Sequence, residues 1–346
     1  MTPLLKTRIR HMANLLVVSL IFLLPIKNFA QGPNIIYIMT DDMGYGDLSC
    51  YGQKDYTTPN LDKLASQGVK FVNAYAAAPV CTPTRTAFMT GRYPARTPVG
   101  LMEPLRSPKL DGAYGLTKAI PSLATLMKES GYETILIGKW HLGFMPQQSP
   151  TQNGFDYFFG IRSGGADYVS YIGANGMRTH DLYENDVMVY PKGYLTDLFT
   201  QKSVDFIKRK HEKPFFLSIN FNAPHWPWQG PTDAAYPDSL NFTDGGSPAV
   251  YAAMMKSLDE GVGKIMQALD DAKLSDQTIV IFTNDNGGEK YSDSGGLSKS
   301  KMSLWEGGIR VPAFVRWPGK IKSGVTSQQV AVTMDWTATI LQAAGA

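Results

Sequence analysis

From Asn34 the chain runs Ile35, Ile36, Tyr37, Ile38, Met39 with no charged interruption. A short run that is apolar on both faces reads as a strand buried in a parallel sheet. Runs at 133–138, 214–221 and 278–283 predict three more core strands, and 69–72 a brief one. Helical patterns lie between them. One opens at Thr58, Pro59, Asn60 and stops at Gly68, and another spans 121–130, with Leu123, Leu126 and Met127 on one face and Gly131 as its stop. Residues 194–210 form a third. Ser247 as cap and Pro248 at the first helical position open the longest, to residue 272. Its stripe of Tyr251, Met254, Met255, Leu258, Val262, Ile265, Met266 and Leu269 is core rather than a cofactor box. Residues 335–346 predict a last helix. Strands alternating with helices give an α/β fold: a central, mostly parallel sheet flanked by helices on both faces. A Pro-rich loop at 93–108 and a segment at 144–193 rich in Gly, Tyr, Asn and Asp lack periodicity, and the second reads as an irregular insertion.

Polar residues gather just past the strands. Asp41 and Asp42 follow the first one, where open α/β sheets place their ligands. Two adjacent acids there repel unless a cation or basic group sits between them; a surface turn is the alternative. Lys139 and His141 follow 133–138, at a spacing that in extended chain points both to one side, as a solvated loop or a site. His225 stands beyond 214–221, suited to capping or chemistry, and Asp285 and Asn286 stand beyond 278–283. Right-handed crossovers allow these ends to meet at one mouth of the sheet. Cys81, with Pro83 two positions on, reads as the first turn of a helix, where amides and the helix dipole converge. Arg85 lies one turn further on the same face.

Composition narrows the class. With 346 residues, 43% hydrophobic and 18% charged, disorder and fibres are not indicated. The formal charge of +3 includes Lys6, Arg8, Arg10 and Lys27, with no acid before residue 31, so the remainder is close to −1. That gives no electrostatic case for nucleic acid. Residues 1–30 have a basic start, an apolar run over 13–25 and Ala30 before Gln31, the layout of a secretory signal peptide with 31–346 as the mature part; an uncleaved anchor is the alternative. The expectation is an exported protein, periplasmic or secreted, with no membrane span once the leader is cut. Cys50 and Cys81 alone make no disulfide framework.

Cys81, Thr82, Pro83, Thr84, Arg85, followed by Thr90, Gly91, Arg92, resembles the signature of the sulfatases, in which an enzyme oxidises the cysteine to formylglycine. The usual fourth position is serine; Thr84 keeps the hydroxyl. The run from Gly138 through Lys139, Trp140, His141 and Leu142 to Gly143, the acid pair after the first strand, and Lys301 ahead of Trp305, Glu306, Gly307 and Gly308 are similar to further stretches of that family. The resemblance implies an alkaline-phosphatase-like fold whose smaller C-terminal sheet subdomain is missing here. It implies a metal held by Asp41, Asp42, Asp285, Asn286 and the residue made from Cys81. Oxygen donors of this kind suit a hard cation, and calcium tolerates irregular geometry better than magnesium.

By the same resemblance, the hydrate of residue 81 attacks a sulfate monoester of a carbohydrate or small aryl alcohol and becomes sulfated. His225 or Lys301 protonates the leaving alcohol, His141 then deprotonates the second hydroxyl, Arg85 steadies the hydrate, and Lys139 and Lys301 hold sulfate oxygens. His225 is also placed on the substrate, and Ser163 stands where some members have a hydroxyl near the sulfate. A formylglycine-generating or anaerobic sulfatase-maturating enzyme is implied as partner. Two alternatives stay open: a phosphate or phosphonate monoesterase of the same superfamily, and an exported calcium-dependent carbohydrate-binding protein without turnover.

Overall fold

In the computed structural model the described residues are 32–174, 178–237 and 241–346. The leader expected at 1–30 lies outside them. Strand β1 (Asn34–Thr40) is buried along its whole length and forms the axis of a ten-stranded sheet. It pairs in parallel with β7 (Phe215–Asn220) on one side and β8 (Thr278–Asn284) on the other. Beyond β7 come β3 (Glu133–Gly138) and β4 (Tyr157–Ile161), both parallel. Five adjacent strands therefore send their carboxyl ends to one edge of the sheet, and the polar clusters of the sequence all sit there.

Alternation along β1 explains the layers. Ile36 and Ile38 belong to one apolar cluster, Ile35, Tyr37 and Met39 to the other. On the first face pack α1 (Pro59–Ser66), α4 (Leu195–Lys208) and α5 (Pro248–Asp271), through Leu61, Phe199, Met254 and Leu258 among others. On the second pack α2 (Cys81–Thr90), α3 (Leu123–Glu129) and α6 (Thr333–Ala344), through Phe88, Met127 and Trp336. Gly138 ends β3 at φ 116°, and a Cβ there would strike the Asn220 carbonyl of β7, so glycine is needed where the two strands approach.

The structure corrects several boundaries. Ser122 caps α3 by accepting from the Thr125 N–H, which leaves Pro121 outside. Helix α6 starts two residues before the predicted position, because the Asp335 carboxylate accepts from the Val332 N–H ahead of the first turn. The segment at 144–193 is not wholly irregular: it supplies β4 and the antiparallel pieces β5 (Leu182–Glu184) and β6 (Val187–Met188), which extend the sheet to its end. On the opposite side β9 (Ala313–Arg316) runs antiparallel to β8 and to β2 (Val69–Tyr75), and β10 (Val325–Val332) closes that edge. Strand β10 has a single buried residue, Ala331, so it carries no apolar run to announce it.

Candidate active site

The acid pair leaves β1 on a sharp turn. Asp42 has φ 64°, a left-handed conformation, and carboxylate oxygens of Asp41 and Asp42 lie within 4.8 Å of each other and of a His225 ring nitrogen. Lys139 Nζ donates to Asp41 Oδ2 at 2.6 Å, and Lys301 Nζ donates to Asp42 Oδ2 at 2.6 Å. Asp285, next along from β8, takes Arg85 Nε at 3.0 Å and the neighbouring guanidinium nitrogen at 2.9 Å, and accepts from the Asp42 N–H at 3.3 Å. Asn286 donates through Nδ2 to Asp42 Oδ1 at 2.7 Å. All these side chains but Lys301, which keeps 10% of its side chain exposed, are buried, and they come from positions 41 to 301 of the chain.

Cys81 is the first residue of α2 and is 1% exposed. The turn before it is fixed by Thr84, whose hydroxyl accepts from the Ala78 N–H at 3.1 Å and donates to the Ala78 carbonyl at 3.0 Å. A serine offers the same oxygen, so threonine at this position serves the turn equally well. The sulfur lies with carboxylate oxygens of Asp41 and Asp285 inside a cluster whose atoms are all within 4.8 Å of one another. Burial pushes the thiol pKa up in spite of Lys139 and Lys301.

The histidines flank this cluster. His141 has φ 55°, so it is not in extended chain and the two-residue spacing from Lys139 is not what brings it in. Its Nε2 lies 2.7 Å from the Leu105 carbonyl, which assigns the proton to Nε2 and leaves Nδ1 buried, unprotonated and without a partner. His225 Nδ1 sits 2.6 Å from the Trp226 carbonyl, and its Nε2 is 3.5 Å from Asp42 Oδ2. A lone pair facing a carboxylate at that distance calls for a proton or a cation between them. Burial pushes both histidines down, His225 to about 3, so both are neutral at pH 7. Gly164 and Gly165 leave room for the rings: a Cβ on either would come within 2.9 Å of His141 or His225.

The charges are closely opposed. Burial pushes the Asp42 carboxyl up, but Lys301, His225 and Lys139 outweigh it and hold it well below the carboxylate range. Asp285 goes the other way, raised by burial and by the Asp41 charge against the pull of Arg85. Two buried oxygens, Asp41 Oδ1 and Asn286 Oδ1, have no hydrogen-bond partner. Orphaned oxygens beside carboxylates already crowded by cations are the pattern of an oxygen-rich cation site, so the donor set fits a hard divalent ion.

A family model described as Sulfatase matches residues 33–346. The chain belongs to the sulfatase family. It is 35% identical to the N-acetylgalactosamine-6-sulfatase of Canis lupus familiaris over 91% of this chain and 63% of that protein. It is 36% identical to arylsulfatase J of Mus musculus over 90% of this chain and 52% of that one. Among solved structures, Ps i-CgsB in complex with k-i-k-neocarrahexaose superposes with a TM-score of 0.81 at 33% identity, covering 91% of this chain and 72% of the other. The chain thus spans less than two thirds of the length of these two curated sulfatases.

The site of this sulfatase also holds residues that its sequence did not announce. Glu289 Oε2 lies 3.6 Å from Lys301 Nζ, and the Leu105 carbonyl orients His141. Asp47 ties the loop after Asp42 to the loop after Asn286, accepting from the N–H groups of Gly44 at 2.6 Å and Asp293 at 2.8 Å and from the hydroxyls of Tyr56 and Tyr251. The acids Asp47 and Glu289 sit near recognised motifs and could have been flagged on that ground; a backbone carbonyl leaves no trace in a sequence. Ser163 is placed differently from the other ten side chains expected in the site. It lies in the loop that carries Gly164 and Gly165, but its hydroxyl is engaged by the Asp181 carboxylate and the Gly165 carbonyl. Ser163→Ala is therefore expected to cost about 1–2 kcal/mol of stability, from a buried acid losing a donor, with KM for a sulfate ester changed less than about twofold. Denaturant unfolding alongside steady-state kinetics checks both, and a large KM rise with unchanged stability would place the hydroxyl on substrate instead.

Proposed function

We propose that residues 31–346 form the catalytic domain of an exported sulfatase that hydrolyses sulfate monoesters, with sulfated carbohydrate as the substrate class and periplasm or exterior as its place. The observation that carries this is the meeting of Asp41, Cys81 and Asp285 within 4.8 Å, with Arg85, Lys139 and Lys301 packed against the same acids. The two related sulfatases and the oligosaccharide-bound neighbour support it. Asp41, Asp42, Asp285 and Asn286 would hold the divalent cation, calcium on the hard, irregular character of their oxygens, with residue 81 alongside. That ion supplies charge neutralisation, and residue 81, oxidised to formylglycine by a dedicated maturating enzyme, supplies a hydroxyl nucleophile.

The chain's own groups divide the remaining work. Lys139 and Lys301 hold the sulfate oxygens, and Arg85 fixes Asp285 and steadies residue 81. His141 takes a proton at its bare Nδ1, since Nε2 is committed to Leu105. Lys301 is the proton donor to the leaving alcohol that this geometry favours, because His225 is neutral with its Nδ1 proton given to Trp226; His225 then contacts substrate. Ser163 supports the loop beside these histidines.

The test compares nitrophenyl sulfate with nitrophenyl phosphate for protein made in a host that oxidises such cysteines. Sulfate turnover should exceed phosphate turnover, fall on chelation and return with calcium, and calcium should raise the melting temperature by several degrees through selective binding to the native state. Faster phosphate turnover would move the protein to the phosphate and phosphonate monoesterases. Calcium binding with neither substrate turned over would leave a binding protein.

A further inference from the structure

We propose that residues 105–118 form a cationic rim that binds a second anionic group of an oligosaccharide substrate, on a sugar next to the one that loses its sulfate. This deepens the sulfatase reading above and rests on it. The segment is pinned beside the site. Leu105 meets His141 through its carbonyl and donates its N–H at 3.1 Å to the hydroxyl of Thr82, the neighbour of Cys81. Further along, Leu116 donates its N–H to the Leu142 carbonyl at 2.7 Å, one residue past His141. Gln148 Nε2 holds the Gly112 carbonyl at 3.1 Å between these pins.

From 105 to 118 the exposed charges are all positive; the nearest exposed acid, Glu103, lies just before this stretch. Arg106, Lys109 and Lys118 face solvent, Arg106 with 65% of its side chain exposed. The single acid, Asp111, is buried and already accepts from the Arg106 N–H at 2.7 Å, with the guanidinium at 3.5 Å. Among the described residues neither Lys109 nor Lys118 has an acidic partner. Leu110 and Tyr114 expose apolar faces among these cations, at 61% and 42%. Cations interleaved with apolar faces match a sugar chain with anionic substituents, whose rings offer C–H faces and whose charges need pairing. The bias is local, since the chain beyond residue 30 is close to neutral. A small aryl sulfate has one anionic group, which the site itself takes, and leaves the rim nothing to hold. A glycan with anionic groups on neighbouring sugars fills both.

The test uses the whole chain and a triple variant, Arg106→Gln, Lys109→Gln and Lys118→Gln, whose exposed positions leave the fold intact. Calorimetry on protein whose residue 81 is left as unoxidised cysteine, with a multiply sulfated galactan hexasaccharide and with its desulfated form, reads binding without turnover, and nitrophenyl sulfate kinetics on the oxidised protein read the site alone. Expected are about tenfold weaker binding of the sulfated hexasaccharide by the variant at low salt, a gap that narrows as salt rises, and unchanged nitrophenyl sulfate kinetics. Equal affinity of the two proteins, or no preference for the sulfated form, overturns the rim. An equal loss on nitrophenyl sulfate also overturns it, since the segment would then serve the reaction itself. If nitrophenyl sulfate is not hydrolysed but binding depends on the three cations, the sulfatase reading fails and the rim stands as an anionic-glycan surface.

Discussion

Asp285→Ala is expected to remove sulfatase turnover and to weaken the fold as well. Asp285 receives two nitrogens of the Arg85 guanidinium, and both residues are buried. Without it Arg85 keeps only the longer 3.6 Å approach to Asp41 and one contact with the Lys139 carbonyl. Removing one partner of a buried ion pair leaves a desolvated charge, a loss of about 3 kcal/mol or more. Urea unfolding should show a lower midpoint at unchanged slope. Asp285→Asn, which retains an acceptor for the guanidinium, should recover part of the stability and none of the turnover. An alanine variant as stable as the parent would mean that Arg85 is held from elsewhere.

Cys81→Ser should be as stable as the parent and inactive. The side chain is buried at the start of α2 and serine is close to its size, so a melting temperature within a few degrees is expected. Turnover should fall by at least about a thousandfold in a host that oxidises only cysteine, because serine then supplies no aldehyde hydrate. In the parent protein the peptide containing residue 81 should be lighter by about 18 Da after conversion of the thiol to an aldehyde. Full activity of the serine variant, or of a parent chain carrying an unmodified thiol, would end the formylglycine reading.

Legibility in the sequence followed burial. The strands β1, β3, β7 and β8 are continuous apolar runs, and each was readable with its polar tail, which is why Asp41, Lys139, His225 and Asp285 could be placed at one edge of a sheet before any coordinates. Edge elements were not readable in that way: β10 buries only Ala331 and β6 is two residues long, so neither carries a periodic signal. Within the site, sequence supplied residue types and the structure supplied directions. The positive φ of Asp42 and of His141 aims those side chains, and neither angle follows from residue identity. Pairing was hidden as well. That each lysine lies on its own aspartate depends on how segments distant in the chain meet, Lys139 on Asp41 and Lys301 on Asp42, and Glu289 backs Lys301 across a single loop.

The depth of Cys81 sets an order of events. In the finished protein its sulfur is enclosed by groups that include Asp285 and lies near Lys301, both from the last quarter of the chain. On the formylglycine reading, a maturating enzyme has to bind the peptide around residue 81 while β8 is still unmade. Oxidation therefore belongs to the nascent or newly exported polypeptide, and a chain that folds first traps its own thiol out of reach.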